Sequence, residues 1–197
     1  MYKINVTNRR CAWVDLTKAD YIEYHDKEWG VPLHDDRKIF EFMVLDAFQA
    51  GLSWAIVLKK REGFRKAFDN FEAEKIARYS EKKIQKILTD PGIIRNKLKV
   101  YSTVTNAKQF LNVQEEFGAF DKYIWQFTGG KTIHNKWKKL TDLPARTKES
   151  DAMSKDLLQR GFKFVGSTIC YAFMQAAGMV NDHMTYCEHY KKIKSVK

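Results

Sequence analysis

The chain has 197 residues, enough to bury a sizeable core, and its composition excludes collagen-like, small disulfide-rich and low-complexity proteins. Its 35 Lys and Arg residues against 24 Asp and Glu residues give a net charge of +11, and 14% of the residues are aromatic. Basic surfaces attract phosphate and aromatic rings stack on bases. We therefore expect nucleic acid, in preference to an anionic membrane surface, as the partner.

The three cysteines, Cys11, Cys170 and Cys187, are too widely spaced for the framework of a small secreted domain. The opening residues, MYKINVTNRR, contain no apolar core of signal-peptide length, and the most apolar stretch, 39–48, is too short and too charged to span a bilayer. These features predict a soluble cytoplasmic protein without a membrane segment, and we expect a monomer.

The apolar residues follow helical spacing almost throughout, which predicts an all-α chain forming a single unit over 1–197. Residues 39–48 are apolar nearly all round and so predict a central buried helix. Ser80 and Ser150 are candidate N-caps, the latter of a helix that ends at Gly161. The other predicted helices span 72–79, 81–89, 94–112, 117–127 and 167–178.

Two glycines, Gly161 and Gly166, lie five residues apart between two helical patterns, with Lys163 in the short loop. A glycine-bounded hairpin followed by a helix N-terminus presents backbone N–H groups to one anion, and Lys163 would face the phosphate. A simple helix–helix turn with glycine at its C-cap accounts for the same pattern. The apolar hairpin residues are expected in the core: Phe162, Phe164 and Val165.

Cys11, His25, His183 and Cys187 form a two-Cys, two-His set, and the last two are one helical turn apart. Four such ligands would hold a structural zinc that joins the segments 1–30 and 178–190. The alternative is that these side chains lie in unrelated places, since the sequence has no CxxC pair. The remaining histidines, His34, His134 and His189, are expected at the surface, although His189 is close enough in sequence to replace one of the ligands.

Asp46 interrupts the most apolar helix. A buried carboxylate needs a strong partner, a raised pKa or a cavity to face, because its desolvation is otherwise uncompensated. The surrounding sequence is rich in flat rings that could wall a pocket for a damaged base, although ordinary core packing explains them too. These rings are Trp13, Tyr21, Tyr24, Trp29 and Trp54.

Six segments together resemble the 3-methyladenine DNA glycosylase I family. They are RCAWV at 10–14, YIEYHDKEWGVP at 21–32, QAGLSWAIVLKKRE at 49–62, GIIRNKLK at 92–99, SDAMSKDLLQRGFKFVGSTICYAFMQA at 150–176 and VNDH at 180–183. The resemblance implies an all-α helix-hairpin-helix DNA glycosylase fold. It also implies excision of 3-methyladenine from alkylated double-stranded DNA, leaving an abasic site.

The resemblance assigns roles to particular residues. The structural zinc ligands would be Cys11, His25, His183 and Cys187. The base pocket would comprise Trp13, Tyr21, Tyr24 and Trp54 with Asp46 as the catalytic carboxylate. The DNA-binding positions would be Gly51 and Leu52, which fill the space of the flipped nucleotide, and Gly161, Lys163, Gly166 and Thr168 of the hairpin.

Two features depart from the family pattern. Asp46 stands where the family typically carries Glu, so its carboxylate is retracted by one methylene and could need a bridging water. The residues after Cys187 match no family pattern, and 191–197 are expected to form a flexible basic tail.

Three other functions compete with the glycosylase interpretation. They are a non-catalytic helix-hairpin-helix module with a decayed pocket, an RNA-binding or tRNA-modifying helical protein, and a zinc hydrolase. A closed four-ligand site argues against the last. Within the glycosylase interpretation a monofunctional enzyme is expected, because Lys163 is assigned to phosphate and no other lysine stands out as a Schiff-base nucleophile.

Overall fold

The computed structural model describes residues 10–195, so the first nine residues of the predicted metal-binding segment and the last two of the predicted tail lie outside it. The described chain is mostly helical, which confirms the all-α prediction. The helices are α1 (Ala19–Lys27), α2 (Asp36–Gln49), α3 (Trp54–Lys59), α4 (Arg61–Ala67), α5 (Ala73–Ile76), α6 (Glu81–Thr89), α7 (Lys97–Phe117), α8 (Phe120–Trp125), α9 (Lys148–Gln159), α10 (Ser167–Ala176) and α11 (Glu188–Lys194). Short 3-10 turns span Asp69–Phe71, Gln126–Thr128 and Leu140–Asp142.

Helix α2 is the central element, as the sequence predicts. Asp35 begins it by accepting a hydrogen bond from the Lys38 backbone N–H at 2.9 Å. Its apolar residues face neighbours on all sides, because Phe40 packs on Phe110 of α7 and Phe48 packs on Phe64 of α4. An almost wholly buried helix leaves a polar side chain within it little access to water, which makes the position of Asp46 unusual.

Several helix boundaries differ from those predicted, and capping explains the differences. The predicted Ser80 cap of α6 is confirmed, but α7 begins at Lys97 because Asn96 caps it through the Lys99 N–H. The Ser150 cap is wrong: Thr147 caps α9, and Ser150 lies inside the first turn, where its hydroxyl accepts a hydrogen bond from the Thr147 N–H. This reciprocal pair starts the helix earlier than predicted.

The segment after Cys187 forms helix α11, so the prediction of a flexible tail is wrong up to residue 194. His189 and Ile193, one turn apart, are 9% and 5% exposed, and the predicted surface position of His189 is therefore also wrong. The segment is strongly basic, so its apolar face is recognised only from its packing against the rest of the protein.

A two-residue parallel pair links distant parts of the chain, since β1 (Ile133–His134) pairs with β2 (Val180–Asn181). Gly178 precedes β2 with φ +69°, and a Cβ there would lie 2.3 Å from the Val31 carbonyl carbon. This close approach, which only glycine allows, brings 180–183 against the N-terminal part of the molecule. Within residues 10–195, no helix combines the length and the apolar character needed to cross a membrane.

Candidate active site and metal centre

Asp46 lies on α2 beneath a pocket of about 260 Å³ and is only 2% exposed. Burial raises its pKa well above the usual value of an aspartate. On its other side a small apolar cavity is lined by Val165 and Cys170, so Asp46 lies between the pocket and the glycine hairpin. Of the alternatives open for this carboxylate, the structure supports the cavity rather than a buried Lys, Arg or Tyr partner.

Aromatic rings form the walls of this pocket. Trp13 lies edge-on to Tyr21 and Trp29, with ring centroids 5.5 and 4.9 Å apart, and the Tyr24 ring lies 5.0 Å from that of Trp54. All five rings line the pocket, so the structure brings together every aromatic residue that the sequence singled out. Their faces and edges leave a slot suited to a flat ligand.

Three buried polar atoms of the pocket have no hydrogen-bond partner among residues 10–195. They are the Oδ2 atom of Asp46 and the indole Nε1 atoms of Trp13 and Trp54. Buried polar atoms are rarely left unpaired, because each lost hydrogen bond with water is destabilising. The three residues that carry these atoms all line the same pocket, so the pocket wall combines one carboxylate acceptor with two indole donors.

The four Cys and His side chains named from the sequence meet in one buried cluster. The donor atoms of Cys11, His25, His183 and Cys187 lie within 4.8 Å of one another, and all four residues are buried. The closest pairs are Cys11 Sγ and Cys187 Sγ to His183 Nδ1, each 3.5 Å, and Cys187 Sγ to His25 Nε2, 3.6 Å. A hydrogen bond with Cys11, together with those to His183 and His25, lowers the pKa of the Cys187 thiol.

The second nitrogen of each cluster histidine has its own partner. His25 Nδ1 is 2.8 Å from Asp26 Oδ1, and His183 Nε2 is 2.9 Å from the Trp29 carbonyl oxygen. Asp26 is in turn held by Arg10, whose guanidinium donates to both carboxylate oxygens. Such outer contacts fix the ring orientation of metal-binding histidines. The same segments carry Trp13 and Trp29, so the cluster also supports the pocket wall.

The predicted hairpin connects α9 to α10. Gly161 has φ +90° and ends α9, and the following Phe162 and Val165 are buried, whereas Phe164 is only half-buried and has φ +56°. Lys163 is exposed, and its backbone is fixed on both sides by the buried Asn106, through bonds of 2.7 and 2.9 Å. The loop therefore has one defined shape.

The hairpin leads directly into the N-terminus of α10, which no side chain caps. Gly166 is its N-cap residue, and the cap makes no side-chain hydrogen bond. Thr168 lies exposed in the first turn. The first backbone N–H groups of a helix have no partner within the helix, so this end can accept an anion.

A second exposed loop follows α2, where Gly51 and Leu52 project and Leu52 is 40% exposed. The buried Lys99 fixes this loop, because its Nζ donates to the carbonyl oxygens of Phe48 at 2.8 Å and Ala50 at 2.7 Å. Burial lowers the pKa of Lys99, while the carbonyl dipoles at the end of α2 compensate its charge. Helix α7 thus holds both the loop and the hairpin, through Lys99 and Asn106.

The sequence reasoning missed several residues that shape this site. In the sequence, Lys99 and Asn106 are ordinary positions of an amphipathic helix. Only their hydrogen bonds to distant residues show that they fix the loop after α2 and the hairpin. Gln49 and Gln175 also line the pocket, as do Leu140 and Leu143 from the 3-10 turn region. No local pattern marks these side chains, since isolated glutamines and leucines are common on helices and in loops.

A base inside a duplex could reach this pocket only by leaving the stack, and the hairpin and the exposed loop lie where a DNA backbone could be held. Fold and site together therefore define a helical base-excising protein, a DNA glycosylase. The comparisons with known proteins agree. Residues 13–191 match the family model described as Methyladenine glycosylase.

The similarity extends to curated relatives and solved structures. The chain is 44% identical to DNA-3-methyladenine glycosylase 1 of Escherichia coli over 90% of this chain and 95% of the relative. A crystal structure of 3-methyladenine DNA glycosylase I superposes with a TM-score of 0.88 at 46% identity, over 91% of this chain and 98% of that one. A Tyr-to-Phe variant of such an enzyme, solved in complex with 3-methyladenine, has a TM-score of 0.88 at 33% identity, over 91% and 96%. This chain belongs to the methyladenine glycosylase family.

Proposed function

We propose that this protein removes 3-methyladenine from alkylated double-stranded DNA by hydrolysing the N-glycosidic bond, which leaves an abasic site. The observation that carries the proposal is Asp46, a buried carboxylate that lines an aromatic pocket and whose Oδ2 has no partner within residues 10–195. Family membership makes the protein a DNA glycosylase and confirms the enzyme prediction. A non-catalytic module would have a decayed pocket. The pocket of this protein retains its aromatic walls and its carboxylate, which disfavours that alternative.

Recognition depends on the charge of the damaged base. Methylation at N3 leaves a positive charge in the purine, which stacks favourably on the rings of Tyr24, Trp54 and Trp13; each cation–π contact contributes about 0.5–2 kcal/mol. The Asp46 carboxylate would face the edge of the charged base. Neutral adenine lacks this attraction and is a far poorer leaving group.

The chemical step needs little more than positioning. As the C1′–N9 bond breaks, its electron pair moves to the purine and cancels the positive charge, while the sugar becomes an oxocarbenium-like cation. The DNA phosphates and the carboxylate of Asp46 stabilise that cation. The oxygen of a water molecule then bonds to C1′, and the water loses a proton to the solvent.

The hairpin and the loop after α2 would hold the DNA. The N–H groups at Gly166 and Thr168, the exposed Lys163 and the turn at Gly161 suit a phosphate. Leu52, carried forward by Gly51, would occupy the space left by the extruded nucleotide and offset part of its unstacking, which is unfavourable by a few kcal/mol.

The cluster of Cys11, His25, His183 and Cys187 would hold one structural zinc ion. Typical Zn–S and Zn–N distances in a tetrahedron place neighbouring S and N ligands about 3.6 Å apart. The observed separations of 3.5 and 3.6 Å support this fit. Two sulfurs and two imidazoles fill all four positions, so the ion would fix the fold and take no part in the reaction.

The assay of released bases tests the proposed activity. Purified protein is incubated with methylated duplex DNA, and the free bases are separated by chromatography. We expect release of 3-methyladenine at a rate proportional to enzyme. Failure to release it, by a folded protein that still binds DNA, would contradict the proposed function and support the non-catalytic alternative.

The enzyme is expected to be monofunctional, without lyase activity. The side chains that line the pocket in the described chain include no lysine amine that could attack C1′. Borohydride added during the reaction should therefore trap no covalent protein–DNA adduct, while a known bifunctional glycosylase assayed in parallel gives one. A trapped adduct at substantial yield contradicts this prediction.

Changing Lys163 to Ala should weaken DNA binding without altering the pocket. Removal of one phosphate contact is expected to reduce affinity about equally for all sequences and to lower the slope of log affinity against log salt by about 1. Affinity is measured at several salt concentrations. The matched control is Lys82→Ala, an equally exposed lysine on α6. An unchanged slope for Lys163→Ala would exclude a phosphate contact.

A further inference from the structure

Gln175 is a pocket-lining residue of α10 whose side chain is held in one orientation. Its Nε2 atom donates to Asp182 Oδ2 at 2.8 Å. Its backbone carbonyl oxygen accepts a hydrogen bond from the Gly30 N–H at 2.9 Å, which fixes this turn of α10 against the N-terminal part of the molecule. Gln175 therefore meets the pocket with little freedom to rotate.

The surroundings of Asp182 decide which end of the Gln175 amide faces the pocket. Asp182 is 1% exposed, and donors occupy both of its carboxylate oxygens. Oδ1 accepts from Asn135 Nδ2 and Trp137 Nε1, each at 2.7 Å, and Oδ2 accepts from the Tyr171 hydroxyl at 2.6 Å and from Gln175. All four neighbours donate, so both oxygens of Asp182 serve as acceptors in this arrangement.

An amide next to such a carboxylate cannot be reversed. Rotation of the Gln175 amide by 180° would place its carbonyl oxygen against Asp182 Oδ2, which is repulsive. Nε2 therefore stays on Asp182, and Oε1 is the amide atom left for a ligand. Asp182 is a positioning residue in this arrangement, because it acts on the ligand only through Gln175.

The pocket then presents a defined polar pattern. The residues that line it include Asp46 and Gln175, whose oxygens accept, and Trp13 and Trp54, whose indole N–H groups donate and have no partner within residues 10–195. A purine with an amino group at C6 offers two N–H donors there and acceptors at its ring nitrogens. A purine with an oxygen at C6 would turn that oxygen toward acceptor atoms.

We propose that Gln175, fixed by Asp182, accepts a hydrogen bond from the 6-amino group of the extruded base and so makes the pocket select 6-aminopurines over 6-oxopurines. This inference rests on the proposed function and names the part of the base that is read. A 6-oxo base leaves the Gln175 oxygen and the Asp46 carboxylate without a donor, and rejection of this kind is stronger than that from shape alone.

The wild-type protein provides the first test. Free 3-methyladenine and free 3-methylhypoxanthine have the same ring system and N3-methyl group but differ in the amino or oxo group at C6 and in the ring N–H that accompanies the oxo group. Each is used to inhibit excision from methylated DNA. We expect the 6-oxo compound to inhibit at least about tenfold more weakly. Equal inhibition by the two compounds overturns the proposal. Failure of the proposed function looks different, because then no 3-methyladenine is released at all.

The variant Gln175→Leu assigns that preference to one side chain. It keeps a side chain of similar length but removes the acceptor, and Asp182 retains its other three donors. The preference for 3-methyladenine over 3-methylhypoxanthine should fall at least about threefold, with the remainder due to Asp46. The matched control Gln126→Leu, at an exposed position outside the pocket, should keep the wild-type ratio.

The ratio of inhibition by the two compounds distinguishes base recognition by Gln175 from a purely structural role. If Gln175 had only a structural role, its replacement would weaken inhibition by both compounds equally and leave the ratio unchanged. That result would overturn the assignment to Gln175. Thermal melting establishes whether Gln175→Leu is folded. Should it not fold, the wild-type comparison of the two compounds still decides whether the pocket reads the 6-amino group.

Discussion

Asp46→Asn is expected to lower the rate of 3-methyladenine excision about 100-fold and to leave the protein folded. The change keeps the shape of the side chain but removes the negative charge of a buried group that lines the aromatic pocket proposed to hold the cationic base. Loss of one partner of a buried charge pair weakens an interaction by about 3 kcal/mol, which corresponds to about 100-fold. Single-turnover rates on methylated duplex DNA measure the effect.

A control variant tests whether the loss of activity requires removal of the carboxylate in the pocket or follows from removal of a carboxylate elsewhere. Asp151 in α9 also has an oxygen without a hydrogen bond in the described chain, but its side chain is 46% exposed, lies 3.7 Å from the Arg146 guanidinium and is outside the pocket. Asp151→Asn should retain the wild-type excision rate. Wild-type kinetics in Asp46→Asn would reject Asp46 as the recognition group.

The pH dependence of excision follows from the same carboxylate. Burial raises the pKa of Asp46, and the ionised form is the one that attracts the cationic base. The value of kcat/KM should therefore fall as pH decreases through this raised pKa, at a higher pH than the value of about 3.9 typical of an aspartate. This acid limb should be absent from the pH profile of Asp46→Asn.

Stability should change in the opposite direction to activity. A carboxyl group whose pKa is higher in the folded than in the unfolded state favours folding below the unfolded pKa, and this benefit is lost as pH rises toward the folded pKa. Above its folded pKa the ionised Asp46 thus lowers stability, and in that pH range Asp46→Asn should raise the free energy of unfolding by about 1 kcal/mol. The difference should shrink toward pH 4 in thermal or urea denaturation.

Cys11→Ser is expected to have the largest effect on stability. It removes one of four ligands and leaves the remaining thiolate and imidazoles buried without a complete metal site. We expect loss of bound zinc and a decrease of at least about 4 kcal/mol in the free energy of unfolding, close to the total stability of many domains. Zinc per chain and urea denaturation measure the two effects.

The third cysteine supplies the control. Cys170 is equally buried but lies in α10 outside the cluster, where its Sγ is 3.2 Å from the Val165 carbonyl oxygen. Cys170→Ser should keep one zinc per chain. Because the Trp13 ring lies 5.3 Å from the ring of His25, metal loss should also change tryptophan fluorescence. Equal zinc content in Cys11→Ser and wild type would contradict the proposed metal centre.

Local patterns predicted the central helix and the buried carboxylate within it. The apolar residues of 39–48 fix both the helix and its burial, so the conflict created by Asp46 follows from residue types and their spacing alone. The segment after Cys187 shows the limit of such reasoning. Its charge suggested a flexible tail, whereas a single apolar face through His189 and Ile193 docks it as α11.

Contacts between distant parts of the chain could not be predicted in this way. The bond from Lys99 to Phe48 spans 51 residues, that from Asn106 to Lys163 spans 57, and the approach of Cys11 to His183 spans 172. Periodicity assigns a residue to a helix face but does not say which other helix meets that face. The four-ligand set was therefore only one possibility until the fold brought its members together.

The sequence by itself determined the helical class, the basic and aromatic character, the residues available to hold a metal and the presence of a carboxylate where apolar packing would exclude one. These properties depend on residue type and on spacing within a few turns of helix. Only the tertiary structure decided that the rings wall one pocket, that Asp46 lines it and that Asp182 holds the amide nitrogen of Gln175 beside it. The reason is physical: the direction of a side chain and its hydrogen-bond partners depend on neighbours that are far away in sequence.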